Sequence, residues 1–169
     1  IAIIGQYAEN VYFGKPCGLM DQMACSVGSL VHIDFADKEK PVIDPVNVDF
    51  DKFGYSLCIT DTKGSHADLT HEYAAVPEEM KAVATVLGQE LLHGITLQNL
   101  LEKADEIREK TNDRAYLRAI HFVMENERVQ NAVTALRAND FNGFLKMINH
   151  LNIYRMYIPI RMWYIRMCL

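Results

Sequence analysis

Gly14-Lys15-Pro16-Cys17-Gly18-Leu19-Met20-Asp21-Gln22 is the stretch that decides how the chain reads. A loop containing glycine and proline runs straight into a short helix and delivers a carboxylate one turn inside it. Proline starts a helix without losing a hydrogen bond, which predicts a helix from Pro16 to about Ser26, and Gly18 permits close approach by another chain or a ligand. Met20, Ala24 and Val27 share a helical face and are expected inward, leaving Asp21 and Gln22 toward the loop. An aspartate in a first turn also has an ordinary electrostatic role, because it complements the positive end of the helix dipole. The local pattern leaves both roles open.

Before this stretch, Ile3 to Val11 is apolar-periodic and reads as the last turns of a helix. The sequence opens on Ile1-Ala2-Ile3-Ile4 without Met, so residues are expected to have preceded Ile1. After it, Gly28 stops the helix, and Ser29 to Phe35 alternates as a strand. Val42 to Val48 and Tyr55 to Asp61 read as further strands between Asp/Lys/Gly turns, and three strands so close in sequence predict one antiparallel or mixed sheet. From Asp68 the period lengthens: Leu69, Tyr73, Val76, Met80, Val83, Ala84 and Leu87 mark one helical side, bent near Pro77 and ending at Gly88. One or two short helices follow over Leu97 to Arg108, then a long one over Asp113 to Ala138. Asp140 is positioned to cap the next helix, with Phe141, Phe144, Leu145 and Ile148 on its apolar side.

Across 169 residues, 50% hydrophobic composition is enough to build a core, as one domain or two small lobes. A formal net charge of -5 argues against a general nucleic-acid or anionic-membrane surface, while leaving room for a small anionic cosubstrate. Cys17, Cys25, Cys58 and Cys168 are widely spaced and form no CxxC knuckle, so free thiols in a reducing compartment are expected. There is no long uncharged apolar stretch and no basic-then-apolar leader, which predicts a cytoplasmic protein with no membrane partner.

Leu151 to Leu169 breaks with what precedes it: three Tyr, one Trp, three Arg and no acid follow an acidic, well-patterned chain. Three arginines and Pro159 argue against a membrane span, leaving a two-faced strand, a surface-binding tail or an unnatural tail.

Tyr7-Ala8-Glu9-Asn10 followed by Gly18-Leu19-Met20-Asp21-Gln22 resembles the galactokinases, members of the GHMP small-molecule kinase superfamily. Thr60 to Leu69 with Glu72-Tyr73 is similar to the family's strand-turn-helix after the central sheet. Arg118 to Phe122 with Glu125 to Val129 resembles its long helix, and Asp140-Phe141 the start of the following one. Order and spacing agree over about Ile3 to Asn149. The resemblance implies an α+β fold: a partial two-lobed GHMP kinase, with an incomplete N-terminal lobe over residues 1–61 and part of the C-terminal lobe over 62–150.

The same resemblance implies ATP-dependent phosphorylation of galactose at its anomeric hydroxyl. Asp21 then corresponds to the active-site carboxylate, as full base or as electrostatic orienter; Tyr73 to a tyrosine holding the sugar; and Gly18 to the loop beside it. A sugar hydroxyl is a poor nucleophile, so a carboxylate that accepts its proton or orients it suits phosphoryl transfer. Gly64, Ser65, His66 and Asp68 bunch at a strand end, where a structural turn or helix cap competes with sugar contact. His121, Glu125 and Arg128 at helical spacing fit a helix-face ion pair better than a metal set. His32, His71 and His93 carry no stronger signal, and no metal-binding residue is assigned.

The family's Gly/Ser-rich phosphate loop, its early sugar-binding segment and its later glycine-rich segment are not found in this sequence. Mg-ATP is therefore expected as cosubstrate of the parent enzyme but not as a ligand of this chain, and little or no activity is expected from it alone. One inferred set of codons for Phe-Lys-Tyr-Leu-Gln-Asn-Val-Tyr-Thr-Asn-Lys-Asn-Val, read with the first nucleotide dropped, spells the order Leu151 to Trp163. The in-frame product resembles a Tyr-Leu-Gln-Asn stretch of galactokinases, so a frameshift accounts for the tail over 151–169. The rival expectation is a non-catalytic fragment that forms a homo-oligomer through exposed sheet edges and the tail, or retains galactose binding.

Overall fold

The computed structural model describes residues 1–14, 17–37, 39–59, 70–155 and 165–168; the side chains of 57–59, 70, 73, 150–155 and 165–168 lie outside that description. Its architecture is mixed α+β. The contacts divide it into two compact units.

The first unit takes in Ile1–Ile59 and Val133–Phe144, together with a strand near the end of the chain. Helix α1, Ala2–Tyr7, continues as a π-helical turn over Ala8–Tyr12, and α2 covers Met20–Val27. Gly28 ends α2 at φ 77°, a left-handed value that L side chains rarely adopt. Strands β1 (Leu30–Asp34) and β2 (Val42–Val46) pair antiparallel, with His32 opposite Asp44. His32 Nδ1 lies 3.6 Å from Asp44 Oδ2, and Arg137 also reaches that oxygen.

A 3₁₀ turn over Phe50–Phe53 is capped by Asp49, whose side chain accepts from the Asp51 N–H. It leads into β3, Ser56–Ile59. Three strands in one sheet were expected, but β3 pairs antiparallel with β4, Ile165–Cys168, in a second two-stranded sheet. The register Ser56↔Cys168 to Ile59↔Ile165 gives the odd tail a strand role. The reason is backbone satisfaction: an edge strand accepts any extended partner in reach, however distant in sequence.

Aromatic packing closes this unit. Phe141 stacks on Phe53 at 4.4 Å between centroids, with Tyr55 at 5.0 Å, Phe144 at 5.6 Å and Phe50 at 5.8 Å. Phe141 and Phe144 open α7, Phe141–Arg155, and both are buried. As the sequence predicted, Asp140 caps this helix, its Oδ1 accepting from the Gly143 N–H at 2.8 Å. A Cβ on Gly143 would stand 2.3 Å from Asp140 Oδ2, so a larger residue there would shift the capping carboxylate.

The second unit is helical. It takes in α3 (Thr70–Val86), α4 (Leu97–Glu102), α5 (Ala104–Lys110), the Asp113–Ala132 part of α6 (Asp113–Arg137) and α7 from Leu145. Its core is Val83, Ala84, Leu92, Leu100, Ile107, Ala115, Ala119 and Val123. Each large apolar side chain fully removed from water there contributes about 1.5–3 kcal/mol. Thr96 starts α4 with a capping box shared with Asn99.

Pro77 sits inside α3, where it has no N–H to give the Tyr73 carbonyl one turn earlier. Helices α3 and α6 are joined by charge: Glu79 Oε2 accepts from Arg118 Nη1 at 2.7 Å, and Glu79 Oε1 from Arg114 Nε at 2.8 Å. Glu72 adds a longer contact to Arg118 at 3.3 Å. On the surface, hydrogen bonds from Lys103 and Lys110 hold the Glu106 carboxyl down at about 2. No helix among the described residues is long and apolar enough to cross a membrane.

Candidate functional site

Cys17 to Leu19 and the first turn of α2 make the candidate site, and the side chains of α1 and the π-helical turn that support them are polar. Asn10 grips Cys17 with both ends of its side-chain amide: Oδ1 accepts from the Cys17 N–H at 2.8 Å, and Nδ2 donates to the Cys17 carbonyl at 3.4 Å. Gln6 Nε2 donates to the same carbonyl at 3.2 Å. From α2, Gln22 Nε2 donates to Glu9 Oε1 at 2.9 Å and lies 3.6 Å from Cys17 Sγ. The Gln22 Oε1 atom is buried and makes no hydrogen bond among the described residues.

This polar seam corrects the expected facing of α2. Met23 is its buried residue, whereas Met20 and Val27 are exposed and Gln22 is half-buried. The hydrogen bond from Gln22 to Glu9 on the π-helical turn, with its contact to Cys17 Sγ, outweighs the burial of one more aliphatic side chain. Helix α2 also starts at Met20, four residues after Pro16, which lies outside the described residues.

Asp21 is the second residue of α2, in its first turn, and is exposed. Among the described residues no hydrogen bond or ion pair engages its carboxylate, which stands in the favourable field of the helix N-terminus. Gly18 is exposed three residues earlier, and a Cβ built there would meet nothing within 4 Å. Asp21 and Gly18 are thus both exposed, three residues apart, in the first unit.

Tyr73 lies on α3 in the second unit; its backbone is helical and its side chain lies outside the described residues. Gly64, Ser65, His66 and Asp68 also lie outside them. Glu125 and Arg128 form the ion pair that their spacing suggested, and Arg128 Nη1 also donates to the Met147 carbonyl at 3.4 Å. Among the described residues no three His, Cys, Asp or Glu side chains converge as a metal set.

One feature of the first unit escaped the sequence reading. A cleft of about 350 Å³ is lined by Ser29, Asn47, Asp49, Lys52, Phe53 and Phe141 among others, and Asp21 is not part of it. The Asp49 cap and the left-handed Asn139 at φ 55° are the local signals that shape its rim.

A scan against protein-family profiles matches none. Curated proteins do match. The chain is 37% identical over 140 residues to the galactokinase of Actinobacillus pleuropneumoniae serotype 5b (strain L20), covering 83% of this chain and 35% of that protein. It is 36% identical over 140 residues to the galactokinase of Glaesserella parasuis serovar 5, with the same two coverages. The galactokinase of Haemophilus influenzae (strain Rd) is 30% identical over 148 residues, covering 88% of this chain and 38% of that protein. The chain spans about a third of the length of the curated relatives it matches. On this similarity, and with the mixed α+β structure beside it, the chain belongs to the galactokinase family.

Proposed function

We propose that Asp21 is the sugar-side carboxylate of an ATP-dependent galactose phosphotransferase, and that this chain alone turns over little or no galactose. The observation that carries the reading is the unengaged, exposed Asp21 carboxylate, held on a first helical turn beside an open Gly18. A carboxylate in that setting accepts the proton of the anomeric hydroxyl as its oxygen bonds to the γ-phosphorus and the bridging oxygen leaves with ADP, or aligns that hydroxyl by hydrogen bonding. Gly18 leaves space for the sugar against the loop; a sugar-holding role for Tyr73 rests on the family resemblance alone.

The N-terminus of α2 is a poor seat for the phosphates of Mg-ATP. The anion-attracting end of α2 already carries the negative Asp21, so a phosphate there would meet like charge. In this reading the phosphates belong to portions of the GHMP kinase fold corresponding to the family length that the chain does not span. Residues 1–61 then represent part of the first lobe and 62–150 part of the second. The frameshift account of 151–169 is tested by the coding DNA, where an intact frame with unrelated codons defeats it.

A second reading has its own observation. Ile3, Ile4, Tyr7, Val11, Tyr12 and Phe13 are all exposed, while Gln6 of α1 and Glu9 and Asn10 of the π-helical turn face the loop and α2. That outward apolar stripe supports a self-associating, non-catalytic cytoplasmic protein that retains sugar binding at most. Light scattering followed by separate calorimetric titrations with galactose and Mg-ATP decides between them. Binding of both, with the galactose signal lost in Asp21→Ala, marks a site completed in an assembly; a dimer or larger species binding neither marks the second reading.

A further inference from the structure

We infer that Asn10 is a positioning residue: by gripping both backbone polar groups of Cys17, its side-chain amide fixes the entry to α2 and thereby the direction of the Asp21 carboxylate. The inference rests on the proposed role of Asp21, but its structural half stands without it.

The grip is specific in geometry. An asparagine amide presents an acceptor and a donor in the spacing of a peptide group, so it pairs with one residue's N–H and C=O as a neighbouring strand would. Asn10 Oδ1 takes the Cys17 N–H at 2.8 Å and Nδ2 reaches the Cys17 carbonyl at 3.4 Å. Gln6 also serves the carbonyl, while Gln22 ties the Cys17 thiol to Glu9. Helix, π-helical turn and α2 thus converge on one loop residue.

Cys17 is four residues before Asp21. The intervening N-cap, Leu19, makes no side-chain cap, so local capping does not fix where α2 begins. The loop anchor at Cys17 fixes it instead. The π-helical turn over Ala8–Tyr12 contributes as well: its wider winding carries Asn10 and sets the direction in which that side chain leaves the helix. A polar side chain spent on holding a backbone, three residues after an exposed tyrosine, is economical only if the loop's geometry matters.

The test uses the full 169-residue chain, with amide hydrogen exchange and the carboxyl carbon resonance of Asp21 as readouts. Asn10→Leu removes both bonds and is expected to speed exchange of the Cys17 amide on the order of tenfold, as loss of one good hydrogen bond implies. It is expected to shift the Asp21 resonance while leaving amides of α3 and α6 unchanged. Asn10→Asp keeps the shorter, N–H-accepting bond, and Gln6 still serves the carbonyl, so Cys17 protection and the Asp21 resonance are expected near those of the parent. A Cys17 amide equally fast in the parent and Asn10→Leu overturns the grip, as does complete loss of its protection in Asn10→Asp. An Asp21 resonance unmoved when Cys17 is released overturns the positioning role. Loss of the site reading is a separate result: Asp21→Ala that leaves galactose binding intact, with the Cys17 amide still protected.

Discussion

Replacing Glu79 with alanine tests the joint between α3 and α6 more sharply than any surface change. Its carboxylate accepts from Arg118 Nη1 at 2.7 Å and from Arg114 Nε at 2.8 Å, and the two arginines differ in setting. The Arg118 side chain is 11% exposed and that of Glu79 13%, whereas Arg114 is 57% exposed. Glu79→Ala therefore leaves the Arg118 charge mostly out of water, with only the longer 3.3 Å contact to Glu72 to compensate it. Removing one partner of a buried pair typically costs about 3–5 kcal/mol, and the residual Glu72 contact places this case near the lower end, about 3 kcal/mol. Arg114→Ala breaks an exposed pair and is expected to cost no more than about 1 kcal/mol. Glu79→Ala combined with Arg118→Leu removes both buried charges and is expected to be more stable than Glu79→Ala alone. Urea unfolding with a constant slope reads all three. A Glu79→Ala loss no larger than that of Arg114→Ala, or a double variant less stable than the single one, refutes the reasoning.

Other outcomes follow from the same packing. Leu100 is fully buried in the helical core, so Leu100→Ala is expected to lower stability by about 2–5 kcal/mol in the same assay, and a loss under about 1 kcal/mol would contradict that core. Asp140→Ala removes the α7 cap and is expected to cost about 1 kcal/mol, while Gly143→Ala forces a contact with the Asp140 side chain and weakens the same cap; equal stability of both variants with the parent would count against it. Glu106 has a carboxyl lowered to about 2 by hydrogen bonds from Lys103 and Lys110, so its contribution is present above about pH 4.5 and fades as pH falls toward 2. Carbon-detected titration should find its midpoint near 2, and a midpoint near 4.5 would show that the lysines do not hold it.

The parts of this fold legible in the sequence were those set by local rules. Alternation gave β1, the flanking turn residues set off β2, and Asp140 ahead of Phe141 and Phe144 gave the α7 cap and its apolar side, while the sheet was read only as antiparallel or mixed. The facing of α2 was not legible, because the hydrophobic pattern pointed to Met20 and Val27 while Gln22 was drawn inward by Glu9 and Cys17. Nor was the partner of β3, since pairing Ser56–Ile59 with Ile165–Cys168 depends on a contact across more than a hundred residues. Within the site, the place of Asp21 on a first turn followed from the loop that precedes it. Its support did not, because the bonds that hold Cys17 are to backbone groups and leave no residue pattern to read.

The most direct test of the central claim is a coupled ADP-release assay with galactose and Mg-ATP on this chain by itself, run beside Asp21→Ala. The account predicts no turnover above background from either, because a sugar-side carboxylate without a phosphate clamp supplies too little of the positioning that phosphoryl transfer requires. Galactose-dependent ADP release by the chain alone, abolished by Asp21→Ala, would contradict it.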